Sequence, residues 1–284
     1  MQNFFDKKNF IFSLFILNFA KKMSKFILGL DVSTTTIGIS IFKTDDDYNN
    51  GKVVILTHVS PKVNKNIKGI ESLFLKKQIF EEEFLRKYKD FGITDVVIEE
   101  PLLRSNNVNT CATLLRFNGM ISDSIYQRLN IVPTYISSYD ARKFAFPYLL
   151  SIRKYNKQGV KCDAKTILSK IEKSKSNGGG LTLFASYKWD IDKKRVIFDN
   201  INQLFPNIEW LYNKKGELKK ENFDMSDAIC VILAYMNQTK GITDDARVLD
   251  YHVVKSENGD IASVSYQVSN IINGQPPIEH TINF

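Results

Sequence analysis

The chain has 284 residues, 43% hydrophobic and 25% charged, enough to bury the core of one large domain or two small ones. Its net charge of +8 favours a polyanionic partner such as nucleic acid, although an AT-rich coding sequence, rich in Lys, Asn, Ile and Phe codons, produces the same excess. Cysteines at 111, 162 and 230 without a C-x-x-C spacing, and only three histidines, argue for a reducing compartment and against a disulfide framework or a zinc site, so any metal here is held by oxygen.

Residues 1–22 include "KKNFIFSLFILNFAKK", whose basic start and short apolar stretch resemble a signal peptide. The stretch is too short to span a bilayer, and no small-residue cleavage site follows. Met23 directly precedes "SKFILGLD", so the expected start is Met23, with 1–22 a non-native or disordered extension. Asp6 against Lys7, Lys8, Lys21 and Lys22 accounts for three of the positive charges, and the rest of the chain stays basic.

From there, strands are expected at 26–31, 37–43 and 53–60, the last two joined through "DDDYNNG", as an antiparallel meander. Leu73, Phe74, Lys77, Phe80, Phe84, Leu85 and Tyr88 recur at near-helical spacing and predict an amphipathic helix over 70–90. "TDVVIEE" (94–100) reads as a short apolar strand closed by two glutamates. A helical stretch through "CATLLRFNGMISDSIYQRL" and a strand "VPTYISS" (132–138) follow, which makes an α/β pattern of helices on a mixed sheet.

Residues 151–190 are dense in Lys and Arg and contain a triple glycine at 178–180, so they read as a basic excursion with a flexible elbow outside the core. A solvated charged helix and a phosphate-holding surface both fit that composition. Segments 192–206 and 224–238 predict helices, with 213–223 as a polar connector. After Gly241, three alternating segments separated by "ENGD" and "NGQPP" predict a small β-meander. The expected organisation is therefore an α/β domain over 23–240, with the basic insert at about 151–190, and a β extension over 241–284.

Four acids sit where folding alone prefers something else. Asp31 interrupts an apolar strand, where an unpaired carboxylate is expensive; Glu99 closes another; Asp224 and Asp227 lie three apart at a helix start, on one face. Singly, each has an ordinary explanation: Asp31 as a turn cap, Glu99 or Glu100 paired with a lysine, Asp224 as an N-cap and Asp227 favoured by the helix dipole. Together they suggest a convergence that needs a divalent cation to relieve its repulsion. Two Mg²⁺ ions held roughly 3.5–4 Å apart can activate water and stabilise a leaving oxygen of a phosphodiester.

"ILGLDVSTTTIGISIF", "DVVIEEPL" with "NNVNTCATLLRFNGMI", "VPTYISSYDARKFAF" and "DMSDAICVILAY" resemble, in order and spacing, the successive blocks of RuvC-type Holliday junction resolvases of the ribonuclease H and retroviral integrase superfamily. The resemblance covers 25–148 and 192–238. It implies a ribonuclease H-like mixed five-stranded sheet flanked by helices, with the basic insert and the β-meander as additions.

It further implies that Asp31, Glu99, Asp224 and Asp227 ligate two Mg²⁺ ions, with Mn²⁺ as the other candidate, and that Glu100 ranks behind Glu99. The start of "DKKRVIFDNI" resembles a family helix with a basic catalytic residue; Lys194 is the choice, with Lys193 and Arg195 as DNA contacts. Arg104, Asn106 and Asn107, in the loop after Glu99, would contact a displaced strand, though Asn107 or Asn109 also suits a helix cap. Tyr135, Tyr139, Phe144 and Phe146 suit either base stacking or the core.

The implied activity is Mg²⁺-dependent cleavage of branched DNA to 5′-phosphate and 3′-hydroxyl ends by a homodimer whose interface uses the helix after Glu99. Its expected setting is the cytoplasm of a bacterial or phage-infected cell, with no membrane partner. One rival is an actin-like or sugar-kinase-type phosphotransferase in which "DVSTTTIG" turns around ATP phosphates; a second phosphate turn and a Gly-rich adenosine motif are missing from the sequence. The other is a non-catalytic nucleic-acid-binding module on the same fold.

Overall fold

The computed structural model describes residues 24–101, 107–243 and 246–284. The expectations for residues 1–22, Arg104 and Asn106 lie outside them.

The first half builds one mixed sheet. Strands β1 (Lys25–Val32), β2 (Ile37–Thr44) and β3 (Gly51–Val59) form the expected antiparallel meander. Helix α1 (Gly69–Phe80) runs on through a π-type turn, Glu81–Leu85, and a last turn, Arg86–Tyr88. Strand β4 (Asp95–Glu100) then pairs parallel to β1, and after helix α2 (Val108–Leu129) strand β5 (Thr134–Ser137) pairs parallel to β4. The order β3-β2-β1-β4-β5 is the ribonuclease H-like mixed sheet.

Alternation along the strands separates two apolar layers. Leu28, Leu30, Val96 and Ile98 face α1 and α2 with Phe80, Phe84, Phe117 and Ile121. Ile27 and Val97 face the other way, toward helices met later in the chain. Between β5 and the insert lies helix α3 (Ser138–Ala145), capped by Ser137, whose hydroxyl accepts from Asp140 N.

The basic excursion corrects one expectation: it is not outside a core. It holds β6 (Leu150–Ile152), helix α4 (Ala164–Asn177) and β7 (Leu181–Leu183), with β6 and β7 paired. Ile167 and Ile171, four apart on one stripe of α4, are fully buried. They pack with Ile152 against Val248, Val264, Tyr266, Val268 and Ile282 of the C-terminal meander. That meander is β8 (Val248–Lys255), β9 (Ile261–Val268) and β10 (Ile278–Asn283), in the order β10-β9-β8. Polar links complete the seam: Lys175 to Asp250 at 2.8 Å, Tyr251 OH to Glu172 at 3.0 Å, and Ile152 N to Tyr266 OH at 3.1 Å. The lysines form the outer face of a helix whose inner face needs the meander to cover it.

Two further helices close the far face of the sheet, α5 (Lys193–Leu204) and α6 (Glu221–Thr239). Helix α6 begins three residues earlier than expected, so Asp224 stands in its first turn and is not its N-cap. Asn222 fixes that start: its side chain accepts from Leu211 N at 2.9 Å and donates to Leu211 O at 2.7 Å. The glycines of the sheet then set how close α6 lies. A Cβ on Gly29 would stand 2.3 Å from Ala228 O, and one on Gly38 2.1 Å from Asp224 O. Ala228 is buried on the helix side of that contact.

Candidate active site

Asp31 is not a turn cap. The turn after it is closed by Ser33, whose Oγ accepts from Thr36 N at 3.0 Å and donates to Thr36 O at 2.7 Å. The Ser33 hydroxyl, joined by that of Thr35 at 3.2 Å, thus serves the β1–β2 connection and leaves the Asp31 carboxylate uncommitted to it.

Register decides between the two glutamates. Leu30 stands opposite Ile98 in the parallel β1/β4 pair, so Asp31 and Glu99, the next residue on each strand, lie side by side. Both share the face of Gly29 and Val97, under α6. Glu100 follows the parity of Val96 and Ile98 and belongs to the opposite face.

Helix α6 brings the other two acids to the same point. Asp227 is 3% exposed and Asp224 is part-exposed one turn before it. From α5, Lys194 Nζ reaches Asp224 Oδ1 at 3.3 Å and Asp227 Oδ2 at 3.4 Å. Its neighbours do otherwise: Arg195 pairs with Asp199 at 2.9 Å along its own helix, and Lys193 is exposed. Asp192 caps α5 by accepting from Arg195 N at 3.1 Å, which fixes the phase that turns Lys194 inward.

The electrostatics are those of crowded acids. Burial, then the charges of Glu99, Asp227 and Asp224, raise the Asp31 pKa well above the usual carboxylate range. Burial and the Asp227 charge lift Glu99 to about 7, with Arg142 and Lys194 opposing. Asp227 is also raised, chiefly by burial, against the pull of Lys194 and Arg142. Burial disfavours the Lys194 ammonium, but Asp227, Asp31 and Asp224 together outweigh it and hold the lysine firmly charged.

Arg142 is the residue that sequence reasoning missed. It sits on α3, within electrostatic range of Glu99 and Asp227, and its buried Nε has no hydrogen-bond partner among the described residues. Its signal was the arginine in "SYDARK", visible only once that segment is known to be a helix beside the acids.

The remaining candidates are distributed more widely. Asn107 caps α2, accepting from Thr110 N at 3.2 Å. Phe144 and Phe146 are core residues, whereas Tyr135 and Tyr139 are 40% and 53% exposed. All three cysteines are free thiols.

Could these residues hold a metal? Among the described residues, no three acids already enclose a metal-sized position. The donor set nevertheless fits a hard divalent cation: every donor is a carboxylate oxygen. When all four are ionised, Asp31, Glu99, Asp224 and Asp227 exceed Lys194 and Arg142 by two negative charges, and the raised pKa values of Asp31, Glu99 and Asp227 report that excess.

No protein-family model matches the chain, and no curated protein matches it in sequence. Solved structures do share its fold. Thermus thermophilus RuvC in complex with a Holliday junction substrate is 8% identical, with 76% of this chain and 96% of that one covered, at a TM-score of 0.45. The yeast mitochondrial Holliday junction resolvase Ydc2 is 9% identical over 75% and 78%, at 0.39. The fowlpox virus Holliday junction resolvase is 11% identical over 75% and 99%, at 0.33. At such identities and scores the likeness describes the fold alone. No helix among the described residues is long and apolar enough to cross a membrane.

Proposed function

We propose that the protein is a divalent-cation-dependent endonuclease that cuts branched DNA. The observation that carries the reading is the meeting of Asp31, Glu99, Asp224 and Asp227 from two parallel strand ends and one helix, with Lys194 among them. A structural ion pair needs one carboxylate per cation; this site has twice that.

The four carboxylates are the ligands for Mg²⁺, or Mn²⁺, which when bound would neutralise their excess charge and polarise both a water and the phosphodiester. Lys194, held between Asp224 and Asp227, offers its ammonium to charge developing on the phosphate oxygens, and Arg142 adds a second positive charge to the same field. In-line attack by water breaks the bond to the 3′ oxygen, which takes a proton and leaves a 3′-hydroxyl beside a 5′-phosphate.

Surface features support a nucleic-acid substrate. Lys68, Lys76 and Arg116 line a groove of about 360 Å³ that also includes Thr34, three residues beyond Asp31. Lys76 Nζ donates to Thr34 O at 2.7 Å, which ties the groove to the β1–β2 turn. Such a row of cations suits backbone phosphates, which position DNA without reading its sequence.

A homodimer is part of the proposal. On α2, Val108, Leu115 and Tyr126 are 77%, 44% and 47% exposed. Spacings of 7 and 11 residues at 100° per residue return these side chains to one stripe of the helix. An apolar stripe of this kind suits burial against a second copy, and two active sites suit paired nicks in a two-fold substrate.

Incubation of the full chain with end-labelled four-way junction, flap, linear duplex and RNA–DNA hybrid in MgCl₂ tests the substrate. Symmetric nicks in the junction support the reading. Cleavage of flap or hybrid alone would keep the chemistry and discard the junction, and cleavage of none would discard the enzyme.

A further inference from the structure

The loop that delivers Lys194 carries an indole with one face covered and half its surface open. Trp189 is 49% exposed, and the Arg153 guanidinium sits over its ring at 4.2 Å from the centroid. The arginine is itself held, its Nη2 donating to Thr182 Oγ1 at 3.1 Å while its backbone carbonyl accepts from Lys170 Nζ at 3.0 Å. The loop is pinned on both sides of the tryptophan. Ser186 Oγ meets Ser151 Oγ at 2.8 Å, Tyr187 N donates to Phe184 O at 3.1 Å, and Asp192 caps α5. Tyr187 and Ile191 pack against the main core, so the chain turns Trp189 outward between two anchored neighbours.

We propose that the free face of Trp189, backed by Arg153, stacks on an unstacked base, single-stranded or at a branch point, of the DNA strand being cut. A fixed aromatic face with cations around it is the chemistry by which proteins hold single-stranded nucleic acid irrespective of sequence. Arg153, Lys154, Lys188 and Lys193 supply cations along the same stretch, against the exposed acids Asp190 and Asp192. Trp189 is five residues from Lys194, so the two Cα atoms are no more than about 19 Å apart. At about 3.4 Å per nucleotide that is within about six steps of the phosphate at Lys194. A base in the interior of a duplex is already stacked on both sides, whereas the bases at an open branch point, although paired, and those in the single strand of a flap offer a face. The inference rests on the nuclease reading, and makes the insert a device for recognising unstacked bases beside the cut.

The chain contains two tryptophans, and the other, Trp210, is 8% exposed, so acrylamide-quenchable emission reports Trp189. Titrate the full chain in EDTA, where no cleavage occurs, with a single-stranded oligonucleotide, a four-way junction and a blunt duplex of equal length. The expected result is quenching and acrylamide protection of Trp189 by single strand and junction, not by duplex. Trp189→Ala should weaken single-strand and junction binding about tenfold more than duplex binding, and Trp189→Phe should restore it. Equal quenching by duplex, or an Ala variant that loses all three substrates alike, would overturn the proposal. Should the Ala variant fail to fold, protection in the unmodified chain decides. Nicking in Mg²⁺ without quenching would overturn the platform and keep the nuclease, whereas quenching without nicking of any substrate would do the reverse.

Discussion

Gly38 on β2 lies directly beneath the main chain of Asp224 on α6, so close that a single added carbon would stand 2.1 Å from the Asp224 carbonyl oxygen. Helix and sheet meet backbone to backbone there, and that contact brings Asp224 and Asp227 within reach of Asp31 and Glu99. Gly38→Ala must push α6 outward. Overpacking of this kind costs about 1–3 kcal/mol, readable by urea denaturation. Because the carboxylates separate, Mg²⁺-dependent cleavage should fall further than stability does. An Ala variant with full activity would show that the close approach is dispensable.

The two adjacent glutamates give a sharp contrast. Glu99 faces the acids and Glu100 the other layer, so Glu99→Gln should abolish cleavage while Glu100→Gln changes it less than about tenfold, on the scale of one part-exposed charge outside the site. Steady-state nicking rates of the two variants check this. Equal losses would mean that the register at the end of β4 is misread.

The pH dependence of stability follows from the same crowding. Without metal, Glu99 holds its proton up to about pH 7 in the folded chain, whereas the unfolded chain releases it near its ordinary value of 4.5. The stability from this raised pKa is full below pH 4.5 and is lost as pH rises through about 7. At 1.36 kcal/mol per unit it amounts to roughly 3 kcal/mol. In EDTA, Glu99→Gln should therefore gain on the unmodified chain from pH 5 to 8, and MgCl₂, which binds the ionised carboxylates, should reverse the order at pH 8. Denaturation midpoints at four pH values read this out; a variant that loses ground as pH rises in EDTA would refute it.

The stripe on α2 predicts an assembly. Leu115→Glu combined with Tyr126→Glu places two charges on the exposed apolar line and should convert a dimer to a monomer in sedimentation equilibrium, with paired junction nicks becoming single ones. An unmodified chain that sediments as a monomer while making paired nicks would contradict the role given to this face.

How much of this was legible in the sequence varies with the range of the interaction. Asp31 and Glu99 stand out because a carboxylate in an apolar strand has no local reason to be there, and the strands themselves are announced by alternation and turns. Lys194 required the helix phase set by Asp192, which "DKKR" states once the aspartate is read as a cap. Ile167 and Ile171 carry a helical period too, but the composition of 151–190 hides it under lysine, and their partners Val264 and Tyr266 come about a hundred residues later. Arg142 is visible in "SYDARK" only as one more basic residue, since the packing of α3 is what sets it among the acids. Local patterns state the elements; which faces meet over long sequence separations does not show until the chain is folded.

The most direct measurement pairs cleavage with binding for Asp227→Asn and Asp31→Asn beside the unmodified chain, on a labelled four-way junction in MgCl₂ and by gel shift in EDTA. Each substitution removes one charge from a crowded, mutually repelling set without changing the side chain's size, so the variants should fold and bind. The account predicts junction binding within about threefold of the unmodified chain and cleavage lower by at least about a thousandfold, the scale of lost transition-state electrostatics. Undiminished cleavage by both variants would contradict the assignment of these carboxylates as the catalytic metal site.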